Sequence, residues 1–288
     1  MARVALPAFV ALMAAAAAHA TEPGADAQAT DAPPGYRLVW SDEFGTDGLP
    51  DPSKWRFDTA RNREGWHNHE LQYYAAPGAR NAVVENGRLV ITARHESRSD
   101  APDWGGQRYT SARLTTRGLA AWTYGFFEVR AKLPCGRGTW PAIWMLGTGG
   151  RWPQDGELDL LEQVGRDPER VMSTVHTAAG HGGNVVNAAM RLPDACTAFH
   201  RYQMRWTPDG ISFGVDGFQH LYYPKLSSAR AAWPFDQPQY LVLNLAIGGD
   251  LGGEVDDAIF PARMEVDYVR VYQAAASPHP TNETGDRR

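Results

Sequence analysis

The densest group of reactive side chains in this sequence is Asp155-Gly156-Glu157-Leu158-Asp159-Leu160-Leu161-Glu162-Gln163, in which acids are interleaved with leucines. Such a mixture is costly unless the acids face water and the leucines face a core. On a helix, Glu157 and Glu162 stand five residues apart and point to different sides, because helical neighbours recur at three and four. On a regular strand, Glu157 and Asp159 share a face and Glu162 falls on the other. One extra residue at Leu160-Leu161, a β-bulge, returns Glu162 to the acidic face, and bulges are enriched beside active sites. The chemistry this suits is retaining glycosidic cleavage, which needs a nucleophile and an acid/base with carboxyl groups about 5–5.5 Å apart. In this reading Glu157 is the nucleophile, Glu162 the acid/base, and Asp159 positions and tunes Glu157. Like charges at close range raise the proton affinity of one member, as a general acid requires. Taken alone, the segment also fits a strand with a solvated acidic edge.

Elements able to position these groups are strands. Short β-branched or aromatic runs bounded by Gly, Pro, Asn or Asp predict strands at Arg37 to Trp40, Arg88 to His95, Gly125 to Leu133, Trp140 to Leu146 and Glu157 to Val164. Others follow at Met172 to Thr177, His200 to Trp206, Gly210 to Val215, Tyr240 to Ile247 and Met264 to Tyr272. Val215-Asp216-Gly217-Phe218 is a tight hairpin signal. Strands in series without interleaved helices predict an all-β antiparallel sandwich rather than an α/β fold.

The N-terminus carries Arg3, an apolar run from Val4 through Ala18, and a small-x-small site at Ala18-His19-Ala20. That is the layout of a secretory signal peptide (residues 1–20), cut near Ala20, so the protein is expected to be secreted or periplasmic. Residues 21–35, rich in Ala, Asp, Pro and Thr, read as a linker, and the polar residues 275–288 as a disordered tail. Between them, residues 36–274 suffice for one domain with a full core. The net charge of −5 offers no basic footprint for nucleic acid, and no later stretch is apolar enough to span a membrane. Two cysteines, Cys135 and Cys196, are no disulfide framework; whether they form one bridge is open at this level. His67-Asn68-His69 invites a metal reading, but no third ligand has suitable spacing.

The segment Gly156 to Glu162 resembles the signature of glycoside hydrolase family 16, the laminarinase group, in its bulged Glu-x-Asp-x-x-Glu form. Trp40-Ser41-Asp42-Glu43-Phe44, Glu70-Leu71-Gln72-Tyr73-Tyr74, Gly138 through Leu146 and Tyr240 through Gly249 match the same pattern in order. The resemblance covers nearly the whole mature chain. It implies a concanavalin-like β-jelly roll, two curved antiparallel sheets with a substrate groove on the concave face. It also implies an endo-acting β-1,3-glucanase that accepts polysaccharide as a monomer and needs no cofactor.

Roles carried over from the family agree with those assigned above to Glu157, Asp159 and Glu162. Trp144 and Trp152 resemble tryptophans that stack on glucose rings, Arg113 a sugar-binding arginine, and His176 a polar residue beside the acid/base. Trp140 shares strand parity with Trp144, so it lines the groove or packs in a core; Asn68 joins the substrate-binding set. A structural calcium, held by Glu43, Asp267 and the Gly87 carbonyl, is the one metal the resemblance implies. The chain departs from the family at His67 and His69, where Gly and Asn are usual, and at Asp250-Leu251, where Asn-Trp is usual. Two other readings stand beside the glucanase: a non-hydrolytic β-glucan-binding module, and an enzyme for another polymer such as agar or carrageenan.

Overall fold

A computed structural model describes residues 32–275; the predicted signal peptide, most of the linker and nearly all of the tail lie outside the described residues. In chain order the strands are β1 (Tyr36–Asp42), β2 (Arg56–Phe57), β3 (Gln72–Tyr74), β4 (Ala82–Glu85), β5 (Arg88–Ala93) and β6 (Tyr109–Ser111). Then come β7 (Arg113–Thr115), β8 (Gly125–Lys132), β9 (Thr139–Gly147), β10 (Glu157–Val164), β11 (Asp167–His176) and β12 (Val186–Arg191). The series closes with β13 (His200–Thr207), β14 (Gly210–Val215), β15 (Phe218–Pro224), β16 (Gln239–Ile247) and β17 (Ala262–Ala274).

Two large antiparallel sheets form the sandwich. One runs β15-β14-β13-β8-β17-β5-β4, with β1 also paired to β17; the other runs β12-β11-β10-β9-β16-β7-β2. Apolar residues of alternate parity meet between them: Leu158, Ile143, Met145, Leu243 and Leu245 from the second sheet, Phe127, Val129, Met204 and Val271 from the first, all at most 1% exposed. That burial is the main stabilising term. Positive-φ pairs close two tight hairpins, Asp216-Gly217 before β15 and Asn86-Gly87 before β5, as two-residue turns of this hand require. Cys135 and Cys196 form a disulfide with Cα atoms 5.7 Å apart, beside the Leu133 N–H to Ala195 carbonyl bond.

Each predicted strand is present; β10 and β14 have the predicted ends and the others differ at one end or both. β11 begins at Asp167, five residues before the predicted Met172: Asp167 pairs with Val164 of β10 and Arg170 with Arg191 of the partly exposed edge strand β12, so this polar start needs no apolar alternation. β2, β3, β4, β6, β7, β12 and β15 have no predicted counterpart; the first five are at most four residues long, and β12 and β15 mix polar and apolar residues without clean alternation.

The residues expected to hold calcium can be placed against one another. Register brings them together, since Leu89 pairs with Val266 and Asp42 with Val269, so Gly87 and Glu43 flank Asp267. Yet Arg270 grips both oxygens of Glu43, at 2.9 and 2.7 Å, and Arg130 donates to Asp267 at 2.6 Å. The carboxylates are already neutralised by guanidinium groups, and calcium takes six to eight oxygens. The predicted residues do not fit the ion.

Candidate active site

The bulge on β10 is set by both neighbouring strands. Against β9, Asp159 pairs with Trp144, Leu161 with Ile143 and Glu162 with Ala142, so Leu160 has no opposite number. Against β11, Asp159 pairs with Thr174 and Glu162 with Met172, leaving Ser173 alone opposite two leucines. The Ser173 hydroxyl donates to the Leu160 carbonyl at 2.8 Å, satisfying a group the irregular ladder frees. Leu160 and Leu161 are each 1% exposed. Both leucines are therefore buried in the sandwich, and Glu157, Asp159 and Glu162 share the opposite face.

That face lines a cleft of about 580 Å³. All nine residues predicted for catalysis and substrate contact lie along it: the three acids with Arg113, Trp140, Trp144, Trp152, His176 and Asn68. Even-numbered positions of β9 (Trp140, Ala142, Trp144, Leu146) and β11 (Arg170, Met172, Thr174, His176) supply much of the floor, the period of two made concrete.

Glu157 accepts from the Trp152 indole N–H, and Glu162 accepts from Trp140 Nε1 at 3.1 Å and the Thr174 hydroxyl at 3.3 Å. Asp159 is buried between them at 3% exposure. Burial first, then repulsion by Asp159, pushes the Glu157 carboxyl up to about 8. Asp159 is raised well above the ordinary carboxylate range by burial and then by Glu162. Glu162 is raised by burial, against the opposing pull of the Trp140 and Thr174 hydrogen bonds and the His176 charge. Three acids in one desolvated patch cannot all ionise near neutral pH, so the cluster retains protons.

Trp140 does both things the sequence left open: it packs with Val164, Ala246 and Leu251 while its N–H reaches Glu162. Trp144 donates to Asn244 Oδ1 at 2.6 Å and lies under the Arg113 guanidinium, 4.7 Å from the ring centre. His176 lies in the cleft, where its charge acts on Glu162 without a hydrogen bond to it. Its Nε2 lies 3.2 Å from Asp159 Oδ2, and Thr174 rather than His176 touches Glu162. Trp152, half exposed, stands over His176 and His181, with centroids 6.1 and 5.5 Å away. The two departures from the family pattern meet at the rim, where His69 Nδ1 lies 2.8 Å from Asp250 Oδ1.

Sequence reasoning missed Glu70 and Asn244. Glu70 accepts from Gln72 at 2.7 Å and from the Tyr74 hydroxyl at 3.4 Å; Tyr74 accepts from Asn244 at 3.0 Å. A polar chain thus runs from Glu70 to the Trp144 indole. Desolvation raises the Glu70 carboxyl against Gln72 and Arg113. Its legible trace was Asn244, a lone amide inside the apolar run Tyr240 to Ile247. Glu157, Asp159 and His176 also form the one group of three metal-capable side chains among the described residues, their ligand atoms within 4.8 Å of one another.

Comparison with known proteins places this arrangement. The model for glycosyl hydrolases family 16 matches residues 69–270. A β-glucanase of Rhodothermus marinus is 48% identical over 258 residues, 85% of this chain and 87% of that protein. The crystal structure of SCLam, a non-specific endo-β-1,3(4)-glucanase, superposes with a TM-score of 0.82 at 51% identity, covering 85% of this chain and 93% of the other. The laminarinase of Rhodothermus marinus gives 0.78 at 47%, covering 83% and 98%. A two-sheet sandwich with an acid-bearing bulged strand, matched along most of its length, leaves one assignment: the chain belongs to glycosyl hydrolase family 16.

Proposed function

We propose that this protein hydrolyses internal β-1,3 linkages of β-glucan, mixed β-1,3/1,4 chains included, by double displacement. The observation that carries the reading is the pairing of Asp159 with Trp144 and of Glu162 with Ala142, which turns both glutamates to the aromatic-lined cleft. Names of the relatives support the substrate.

Glu157 attacks the anomeric carbon while Glu162 gives its proton to the departing glycosidic oxygen, leaving a glycosyl ester on Glu157. Glu162, now a base, takes a proton from water, which attacks the same carbon and releases Glu157. Asp159, the most deeply buried acid, keeps a proton and offers it toward Glu157. With the Trp152 N–H, that stabilises the carboxylate Glu157 becomes when it gives up the proton that burial otherwise keeps on it, the form that attacks and that is released. Trp144, braced by Arg113 and Asn244, presents a flat face to a pyranose ring.

Digestion of laminarin followed by proton NMR tests this. The first product should keep the β-configuration, and Glu157→Gln should lose at least about 10³-fold in kcat with the fold intact. Product of inverted configuration sinks the double displacement. The Cys135–Cys196 bridge supports export, since disulfides persist in oxidising compartments; N-terminal sequencing of the mature protein, expected to begin near Thr21, checks it.

A further inference from the structure

Beside the main cleft, past Trp152 and Arg113, a second cavity of about 360 Å³ opens; both residues line the two spaces. Its walls are unlike those of the cleft. Arg61, Arg117 and Arg151 join Arg113, facing only Asp58 and Asp155. Both acids are already matched. Arg113 Nε lies 3.1 Å from Asp58, and Asp155 receives Arg151 at 3.0 Å and Arg230 at 2.6 Å.

Arg61 and Arg117 face no carboxylate within ion-pair distance among the described residues. Arg61 donates Nε to the Gly65 carbonyl at 3.3 Å, and Arg117 lies 5.8 Å from the centre of the Tyr240 ring. His67, on the shared wall, reports the same field, held below the usual imidazole range by burial and then by Arg61 and Arg113. This positive patch stands on a chain whose net charge is −5.

A neutral glucose residue presents hydroxyls, which look for acceptors as well as donors. Guanidinium groups only donate, and the two acids here are engaged. Such a wall suits an anion, which accepts several N–H bonds from a planar fork. We propose that the side cavity binds an anionic substituent, carboxylate or sulfate, carried by the glucan lying in the main cleft, with Arg117 and Arg61 as its partners. The inference rests on the glucanase reading and extends it to acidic or acid-decorated β-glucans.

The test compares kcat/KM on neutral β-1,3-glucan, carboxymethylated β-1,3-glucan and sulfated β-1,3-glucan of matched length. Arg117→Gln and Arg61→Gln/Arg117→Gln are measured beside the unmodified protein, with melting temperature as the check on folding. Rates on neutral glucan should stay within about twofold, while those on at least one anionic glucan fall about fivefold, a modest loss because the groups are partly solvated. The arm that responds names the anion. Salt should erode the unmodified protein's advantage on that glucan and leave neutral hydrolysis unmoved. Equal losses on neutral and anionic glucans, or no loss on either anionic one, overturn the side-cavity assignment. Absence of neutral-glucan hydrolysis in the unmodified protein instead overturns the glucanase reading, so the two failures are distinct.

Discussion

Ser173 stands alone opposite Leu160 and Leu161, and its hydroxyl donates to the Leu160 carbonyl at 2.8 Å. One residue facing two is what brings Glu162 to the same side as Glu157. The bulge is thus a parity device, and parity can be edited.

Deleting Leu160 alone leaves Glu157-Leu158-Asp159-Leu161-Glu162, a regular alternation that keeps all three acids on the cleft face. Measurable laminarin hydrolysis should survive. Deleting both leucines turns Glu162 toward the core, and activity should fall by at least about 10²–10⁴-fold, the worth of a positioned acid/base. Reducing-sugar assays on folded protein decide this. Equal activity in the two deletions would show that parity is irrelevant.

Glu157→Gln should make the protein more resistant to unfolding at alkaline pH. The native state holds a proton on Glu157 up to about pH 8, while an unfolded glutamate releases it near 4.5. Between those values the native state binds more protons, so stability falls as pH rises through the window. Glutamine removes that loss. The variant should match the unmodified protein at pH 4 and exceed it at pH 9 by about 1–3 kcal/mol, a range discounted for partial solvation of the cleft. Urea unfolding at both pH values measures it, and a gain confined to pH 4 contradicts it.

Thr174→Val removes a donor that favours ionised Glu162. Its proton affinity should rise, moving the alkaline limb of kcat/KM, which reports the free enzyme's acid, to higher pH. Catalysis at the optimum should change little. A limb that moves down contradicts the assignment of Glu162 as acid.

Cys135→Ser/Cys196→Ser should lower unfolding free energy by about 3–4 kcal/mol, since the bridge closes a loop with a sequence separation of 61. The bridge joins segments outside the cleft lining, so kcat at 25 °C should hold. Chemical denaturation and laminarin turnover read the two effects separately.

Much of the site was legible because its chemistry is local. Glu157, Asp159 and Glu162 lie within six residues, and their spacing with two leucines demands a bulge if all are to face one way. Asp216-Gly217 announces its hairpin through residues that tolerate positive φ; Asn86-Gly87 carries the same signal and was overlooked. Edge strands such as β12 were illegible, because a partly solvated edge needs no apolar alternation.

Period, turn chemistry and acid spacing are properties of neighbours along the chain, so the sequence alone determined a sandwich with three carboxyl groups on one strand. Which leucine lacks a partner, that His176 meets Asp159, and that Glu43 and Asp267 belong to arginines depended on strand register across long separations. The basic side cavity is of the same kind: Arg61, Arg117 and Arg151 come from three separate segments. Charge is counted along a chain but acts through space, and only folding decides which charges meet.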